Sequence, residues 1–158
     1  MKILGVDPGP EESAWVIYND RDEKIMGMGI ESNYLIRKMD FYSQLDKWVD
    51  ITVIEMIASY GMAVGEEVFN TCVWIGRFME IFHNIDPILV YRKDVKMHLC
   101  NSMRAKDTNI RQALIDRFGG TIKKAKGKKN SPGPLYGIHD DIWSALAVAI
   151  TYAEGGAK

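Results

Sequence analysis

At 158 residues and 47% hydrophobic content, the chain has material for one domain, residues 1–158, around one core, and no second domain is needed. Its 20 Lys/Arg and 21 Asp/Glu leave a formal net charge of −1. Neither a signal-like segment nor an apolar run approaching the roughly 20 residues of a membrane span is present, which predicts a cytoplasmic protein with no membrane contact.

Residues 3–7 and 13–19 are rich in β-forming side chains and are separated by Pro8-Gly9-Pro10; Asn19-Asp20-Arg21-Asp22 then turns the chain into a third run, 24–30. Three strands joined so closely should pair antiparallel. Tyr34, Leu35, Met39, Leu45 and Trp48 recur at roughly helical spacing, and the short apolar run Ile51–Ile54 reads as a buried strand. Val64, Val68, Cys72, Ile75, Phe78, Met79 and Phe82 trace one face of a long helix, and 87–91 is a fifth strand. Asp94 caps a short helix through Cys100, and 101–106 is a polar connector. Asp107 or Thr108 starts a further helix closed by Gly119-Gly120. The Lys-, Gly- and Pro-rich stretch 123–137 is expected as a mobile basic loop, and the nearly all-apolar run Ile142–Tyr152 as a buried helix. The sum is an α/β domain with a mixed five-strand sheet, three strands antiparallel and then two parallel, flanked by helices.

Charge is unevenly spread along this chain. Residues 91–130 carry twelve Lys/Arg against three Asp, a surplus of nine positive charges, so the remainder carries a deficit of ten. Clustered Lys and Arg gain affinity for polyanions by releasing counterions from phosphates, which marks this segment as a candidate phosphate-binding surface; a merely solvated loop is the alternative for 123–129. Cys72 and Cys100 have no paired Cys or His at metal spacing and are expected as reduced core thiols.

Four acids stand out. Asp7 ends the strand expected at the centre of the sheet, Glu55 ends another, and Asp140-Asp141 open the last helix. In α/β sheets ligand sites gather at the carboxyl ends of strands, and a carboxylate there is costly to bury without a cation or donor. Each acid also has a structural reading: Asp7 bonded to its own turn, Glu55 as a paired core acid, one or both of Asp140 and Asp141 as helix caps. His139 beside them is either a loop residue or part of the ligand shell. Together the acids suit two-metal phosphoryl transfer with a hard divalent cation, one ion activating water and the other stabilising the leaving 3′-oxygen. No serine or cysteine arrangement offers a competing nucleophile.

Leu4-Gly5-Val6-Asp7-Pro8-Gly9, Ile54-Glu55-Met56 with the small-residue stretch after it, Val95-Lys96, Ser102-Met103-Arg104-Ala105-Lys106-Asp107 and Trp143–Thr151 occur in the order found in a known family. On these motifs the chain resembles RuvC-type Holliday-junction resolvases, within the RNase H-like nuclease superfamily, nearly end to end. The resemblance implies the RNase H-like fold and Asp7 and Glu55 as metal ligands, with Asp141 the first choice for a third and Asp140 a fourth. It implies Lys96 and Lys106 as basic residues near the scissile phosphate. It also implies Mg²⁺, with Mn²⁺ able to substitute and two ions per site, and a homodimer that nicks a four-way DNA junction symmetrically in recombination and repair. No small-molecule cofactor is implied. The departure is Ser144, which stands where the family has an Asp before its Ala-Leu-Ala pattern. Arg92, Lys93, Arg104, Lys123, Lys124, Lys126, Lys128 and Lys129 are the candidate phosphate contacts. Tyr60 is a candidate for stacking at the junction crossover or a surface tyrosine. Phe69, Val73, Trp74 and Arg77, outside the core face of the long helix, are the candidate dimer contact or lie under a neighbouring loop. Two other functions remain open: a related nuclease acting on RNA–DNA hybrids, branched DNA or RNA precursors, and a catalytically decayed junction-binding module.

Overall fold

The computed structural model describes residues 1–38, 48–59, 61, 63–83 and 87–157. Strands β1 (Lys2–Pro8), β2 (Glu12–Asn19) and β3 (Lys24–Ser32) are followed by helix α1 (Asn33–Lys38), strand β4 (Ile51–Met56), helix α2 (Glu66–Ile81) and strand β5 (Ile88–Tyr91). Helices α3 (Arg92–Cys100), α4 (Asp107–Arg117) and α5 (Ile122–Lys126), the two-residue strands β6 (Gly127–Lys128) and β7 (Ser131–Pro132), and helix α6 (Ile142–Ala153) complete the chain. Five strands form one sheet in the order β3-β2-β1-β4-β5. β1–β2 and β2–β3 pair antiparallel, whereas β1–β4 and β4–β5 pair parallel, which is the mixed sheet expected from the sequence.

Side chains alternate across a strand, so each strand feeds two cores. On β1, Ile3 faces one layer with Val53, Val90 and helices α4 and α6, while Leu4 and Val6 face the other with Ile54, Trp74, Ile75 and Phe78. The sheet is thereby sandwiched between α3, α4 and α6 on one side and α1 and α2 on the other. No described helix is long and apolar enough to cross a membrane.

Helix α6 lies directly against β1 and β2, and its residues Ala145 to Ile150 are fully buried. Close approach is possible because Gly5 has no side chain. A Cβ at that position would stand 2.4 Å from the Ala145 carbonyl oxygen and 2.9 Å from Ala149 Cβ.

Two expectations are corrected. The stretch 123–137 is structured rather than a mobile loop: Ala125 and Leu135 are fully buried, and Leu135 N–H donates to the Ala125 carbonyl at 2.8 Å. Gly133 lets the chain fold back there, since a Cβ would meet the carbonyls of Lys124 and Ala125 at 2.3 Å. On α2 the buried residues are Thr71, Trp74, Ile75 and Phe78, so Trp74 belongs to the core, and Met79 and Val64 are exposed. Trp74 is enclosed by the Tyr34 ring, edge-on at 5.1 Å, and by the Arg77 guanidinium at 4.5 Å. Phe69 and Val73 remain exposed at 61% and 52%. Of the helix expected from Tyr34 to Trp48, Asn33–Lys38 is present as α1, and 39–47 lie outside the described residues.

Because a methyl group at residue 5 has only backbone and core to displace, Gly5→Ala should destabilise the fold by about 1–3 kcal/mol, the usual cost of overpacking. A urea midpoint unchanged from the parent would show that α6 is free to back away from β1.

Candidate active site

Strand parity puts Asp7 and Glu55 on one face. Asp7 shares the side of Ile3 and Gly5, and Glu55 shares the side of Val53, the face covered by α6. The adjacent parallel pairing of β1 and β4 brings both strand ends to the same edge of the domain. The turn after Asp7 is satisfied by other groups: Gly9 N–H donates to Ser13 Oγ at 3.3 Å, Ser13 Oγ donates to Asn33 Oδ1 at 2.5 Å, and Asn33 Nδ2 donates to the Gly9 carbonyl at 2.9 Å. The Asp7 carboxylate is therefore not consumed by its own turn.

Burial pushes the Asp7 carboxyl up to about 8, and the negative charges of Glu55 and Asp141 push in the same direction; Arg92 and the Ser144 hydroxyl oppose them. Glu55 is raised as well, first by burial, with Asp107 and Asp141 adding to it and Arg92 working against it. The carboxylates of Asp7 and Glu55 are thus held in a poorly solvated place, within reach of the charge of the exposed Asp141 at the start of α6.

Arg92 lies inside this group. Its Nη1 donates to Glu55 Oε2 and to Ser144 Oγ, each at 3.3 Å, and its Nη2 pairs with Asp107 Oδ1. A pocket of about 220 Å³ opens between Asp7, Glu55, Arg92 and the apolar Met56 and Ile57. The sequence marks Arg92 as a candidate phosphate contact in a basic segment that could flank the carboxylates; the structure adds its pairing with Glu55, Ser144 and Asp107. Register held the signal: β4 and β5 pair parallel with Glu55 opposite Val90 and Met56 opposite Tyr91, so the residue that follows Tyr91 must emerge beside the Glu55 carboxylate.

The two acids opening α6 divide. Asp141 is the N-cap residue yet makes no side-chain capping bond, and its charge reaches Asp7 and Glu55. Asp140 adopts a left-handed backbone, φ 40°, and its exposed carboxylate accepts from or pairs with His139 Nδ1 at 2.9 Å, outside the carboxylate group. Lys96 is one helical turn beyond Arg92 on α3 and shares its face. Lys106 is the exposed N-cap of α4, next to the Asp107 that holds Arg92. Lys93, Arg104, Lys123, Lys124, Lys128 and Lys129 are exposed, Lys93 lying over the Tyr91 ring at 5.4 Å. Lys126 instead donates to the Ile138 carbonyl at 2.7 Å, tying α5 to the loop that leads into Asp141. Tyr60 lies outside the described residues. Asp141 also lines an acidic cleft with Glu11, Glu12, Glu66 and Glu67.

Among the described residues, no three His, Cys, Asp or Glu side chains form a preassembled metal cage. The donor chemistry nevertheless suits a hard divalent ion: two carboxylates whose proton affinity is raised by burial and by neighbouring negative charge, with a third at the rim, are oxygen ligands that a cation would relieve.

No protein-family model matches the sequence, and no curated protein matches it. The fold does match solved structures. A Thermus thermophilus RuvC structure superposes with a TM-score of 0.71 at 13% identity, covering 100% of this chain and 99% of that one. T. thermophilus RuvC in complex with a Holliday junction substrate superposes at 0.69 and 15% identity, covering 100% and 98%. The RNase H-like fold expected from the motifs is the fold of this chain.

The raised carboxylates have a consequence for stability. Between the ordinary Asp value of 3.8 and about 8, the folded protein holds a proton that the unfolded chain has lost, so metal-free stability falls as pH rises through that window, by up to about 1.4 kcal/mol per pH unit. Asp7→Asn removes the titrating group. In EDTA its urea midpoint should exceed the parent's at pH 8, with the advantage vanishing towards pH 4; a variant less stable than the parent at pH 8 would contradict the assignment.

Proposed function

We propose that this chain is a divalent-metal-dependent endodeoxyribonuclease that resolves four-way DNA junctions by paired, symmetric nicks, acting as a homodimer in the cytoplasm during recombination and repair. The observation that carries this reading is the gathering of the buried Asp7 and Glu55 at the carboxyl ends of two adjacent parallel strands of an RNase H-like fold, with the exposed Asp141 at the start of α6 close enough for its charge to reach both. In this reading Asp7, Glu55 and Asp141 hold Mg²⁺, or Mn²⁺ in its stead. The bound ion supplies Lewis acidity towards the scissile phosphate and neutralises its charge.

The protein's own side chains do the rest. Lys96, on the face of α3 that carries Arg92, offsets the charge that develops on the phosphoryl oxygens, and Lys106 holds a neighbouring phosphate at the start of α4. Exposed Lys123, Lys124, Lys128 and Lys129 bind backbone phosphates, which fixes the register of the duplex arm without reading bases. One site per chain cuts one strand. Paired nicks need a second copy, and the exposed Phe69 and Val73 on α2 offer an apolar face for it.

The reading is tested with a mobile four-way junction, a linear duplex and an RNA–DNA hybrid, each with Mg²⁺. Selective, symmetric nicking of the junction is expected, and Asp7→Asn should lower it at least about a hundredfold, the scale of losing one charge-stabilising group from an active site. Equal cutting of all three substrates would replace junction resolution with general nuclease activity. Full activity in Asp7→Asn would remove the carboxylate site from the mechanism.

A further inference from the structure

We infer that Lys126 is a positioning residue rather than a contact to the substrate: its ammonium fixes the backbone from which Asp141 projects at the rim of the carboxylate site. This rests on the metal-dependent nuclease reading above and deepens it.

Of the lysines between residues 123 and 129, one is unlike the rest. Lys123, Lys124, Lys128 and Lys129 are exposed, whereas Lys126 is half-buried and its Nζ donates to the Ile138 carbonyl at 2.7 Å. That carbonyl stands just outside α6. The first bonds of the helix go to the carbonyls of His139, Asp140 and Asp141, and Ile138 itself is fully buried, so an ammonium is a strong donor for it where water reaches poorly. The backbone of Lys126 is fixed as well. Its carbonyl accepts from Gly133 N–H at 3.0 Å, and Ala125 before it is fully buried, with its carbonyl accepting from Leu135 N–H at 2.8 Å. Lys126 thus reaches from one closed segment to the loop that follows it. Only His139 and Asp140 separate Ile138 from Asp141, and Asp140 has φ 40°, a left-handed conformation that a residue with a Cβ holds only where its surroundings enforce it. Asp141 makes no side-chain capping bond to its own helix, so the direction of its exposed carboxylate is set by that short stretch of backbone. Lys126 restrains the point where the stretch begins. A lysine serving phosphate alone would keep its ammonium in solvent, as its four neighbours do.

Lysine acetylation of the full parent chain, read by mass spectrometry with and without a four-way junction, tests the engagement of Lys126 and needs no variant to fold. In the free protein Lys126 should react at least about tenfold more slowly than Lys123, Lys124, Lys128 and Lys129, because its amine is released only by local opening. Adding the junction should protect those four and leave Lys126 unchanged. Fast labelling of Lys126 that only the junction suppresses would make it a phosphate contact and overturn the inference, while junction cutting by the same parent would leave the nuclease reading standing. Kinetics tests the role. With Mg²⁺ and saturating protein, Lys126→Met should cut the junction at least about tenfold more slowly, since small misplacements of a reacting group are costly in rate. Its junction affinity in EDTA, and the salt dependence of that affinity, should match the parent's. Lys126→Arg, which keeps a charged donor, should recover most of the rate, and Lys124→Met should bind more weakly with a shallower salt slope. Because Lys126 acts through Asp141, its loss should add nothing further to Asp141→Asn; rate losses that multiply in the double variant would overturn the inference. Weaker binding with an unchanged saturated rate in Lys126→Met would overturn it too. Full activity in Asp141→Asn would remove Asp141 from the nuclease reading and this inference with it.

Discussion

Everything at the active edge depends on how closely α6 can lie against β1. Gly5 sits two residues before Asp7, and the atom it must clear is the carbonyl oxygen of Ala145, the residue directly after Ser144. The contact that lets the helix dock is thus the contact that sets Asp141 and Ser144 against Asp7. Small residues carry the seam on both sides, with Ala145, Ala147 and Ala149 buried on the helix. Large side chains there would add apolar area, at roughly 25 cal/mol per Å², but would hold the helix off the sheet and pull the third carboxylate away from the first two. The fold gives up bulk at this seam and gains position.

That position is electrostatically uphill. Burial and neighbouring charges raise both Asp7 and Glu55, so the folded protein gathers like charges at the edge of its core. Arg92 offsets part of the cost by lying among them, with Asp107 steadying it from the solvent side. Ser144 contributes without adding charge, since its hydroxyl accepts from Arg92 while easing Asp7. Sites of this kind are where local choices conflict with stability, and such conflict is expected where function is carried.

Much of this was legible in the residues. Alternation and strand ends were enough to find Asp7 and Glu55 and the antiparallel-then-parallel sheet, because period-two patterning in a buried strand has few other solutions. The family resemblance already ranked Asp141 ahead of Asp140; what the backbone adds is a left-handed residue at 140 whose carboxylate meets His139, and no local pattern announces that. Trp74 was misassigned because helical spacing alone admits two overlapping apolar stripes on α2, and only the presence of Tyr34 and Arg77 around the indole decides which stripe is inside. Arg92 was legible as a basic residue that could flank the carboxylates, but its pairing with Glu55 depends on strand register, a long-range fact. The 123–137 stretch reads as a loop by composition, yet two buried residues, Ala125 and Leu135, and a glycine at 133 suffice to fold it.

That last stretch changes what the charge asymmetry means. Had the lysines been on a free loop, they would bind phosphate only at the cost of ordering the chain, and their charge would be no closer to the carboxylates on average than linker statistics allow. Instead Lys126 donates to the Ile138 carbonyl, three residues before Asp141, and Leu135 and Ile138 are fully buried beneath the same segment. The basic surface and Asp141 are therefore two parts of one packed unit, and under the proposed function a phosphate at Lys123 or Lys124 would lie in a fixed relation to Asp141. Positioning through packed backbone, rather than through flexible charge alone, is what the proposed action on one bond of a large polyanion would require.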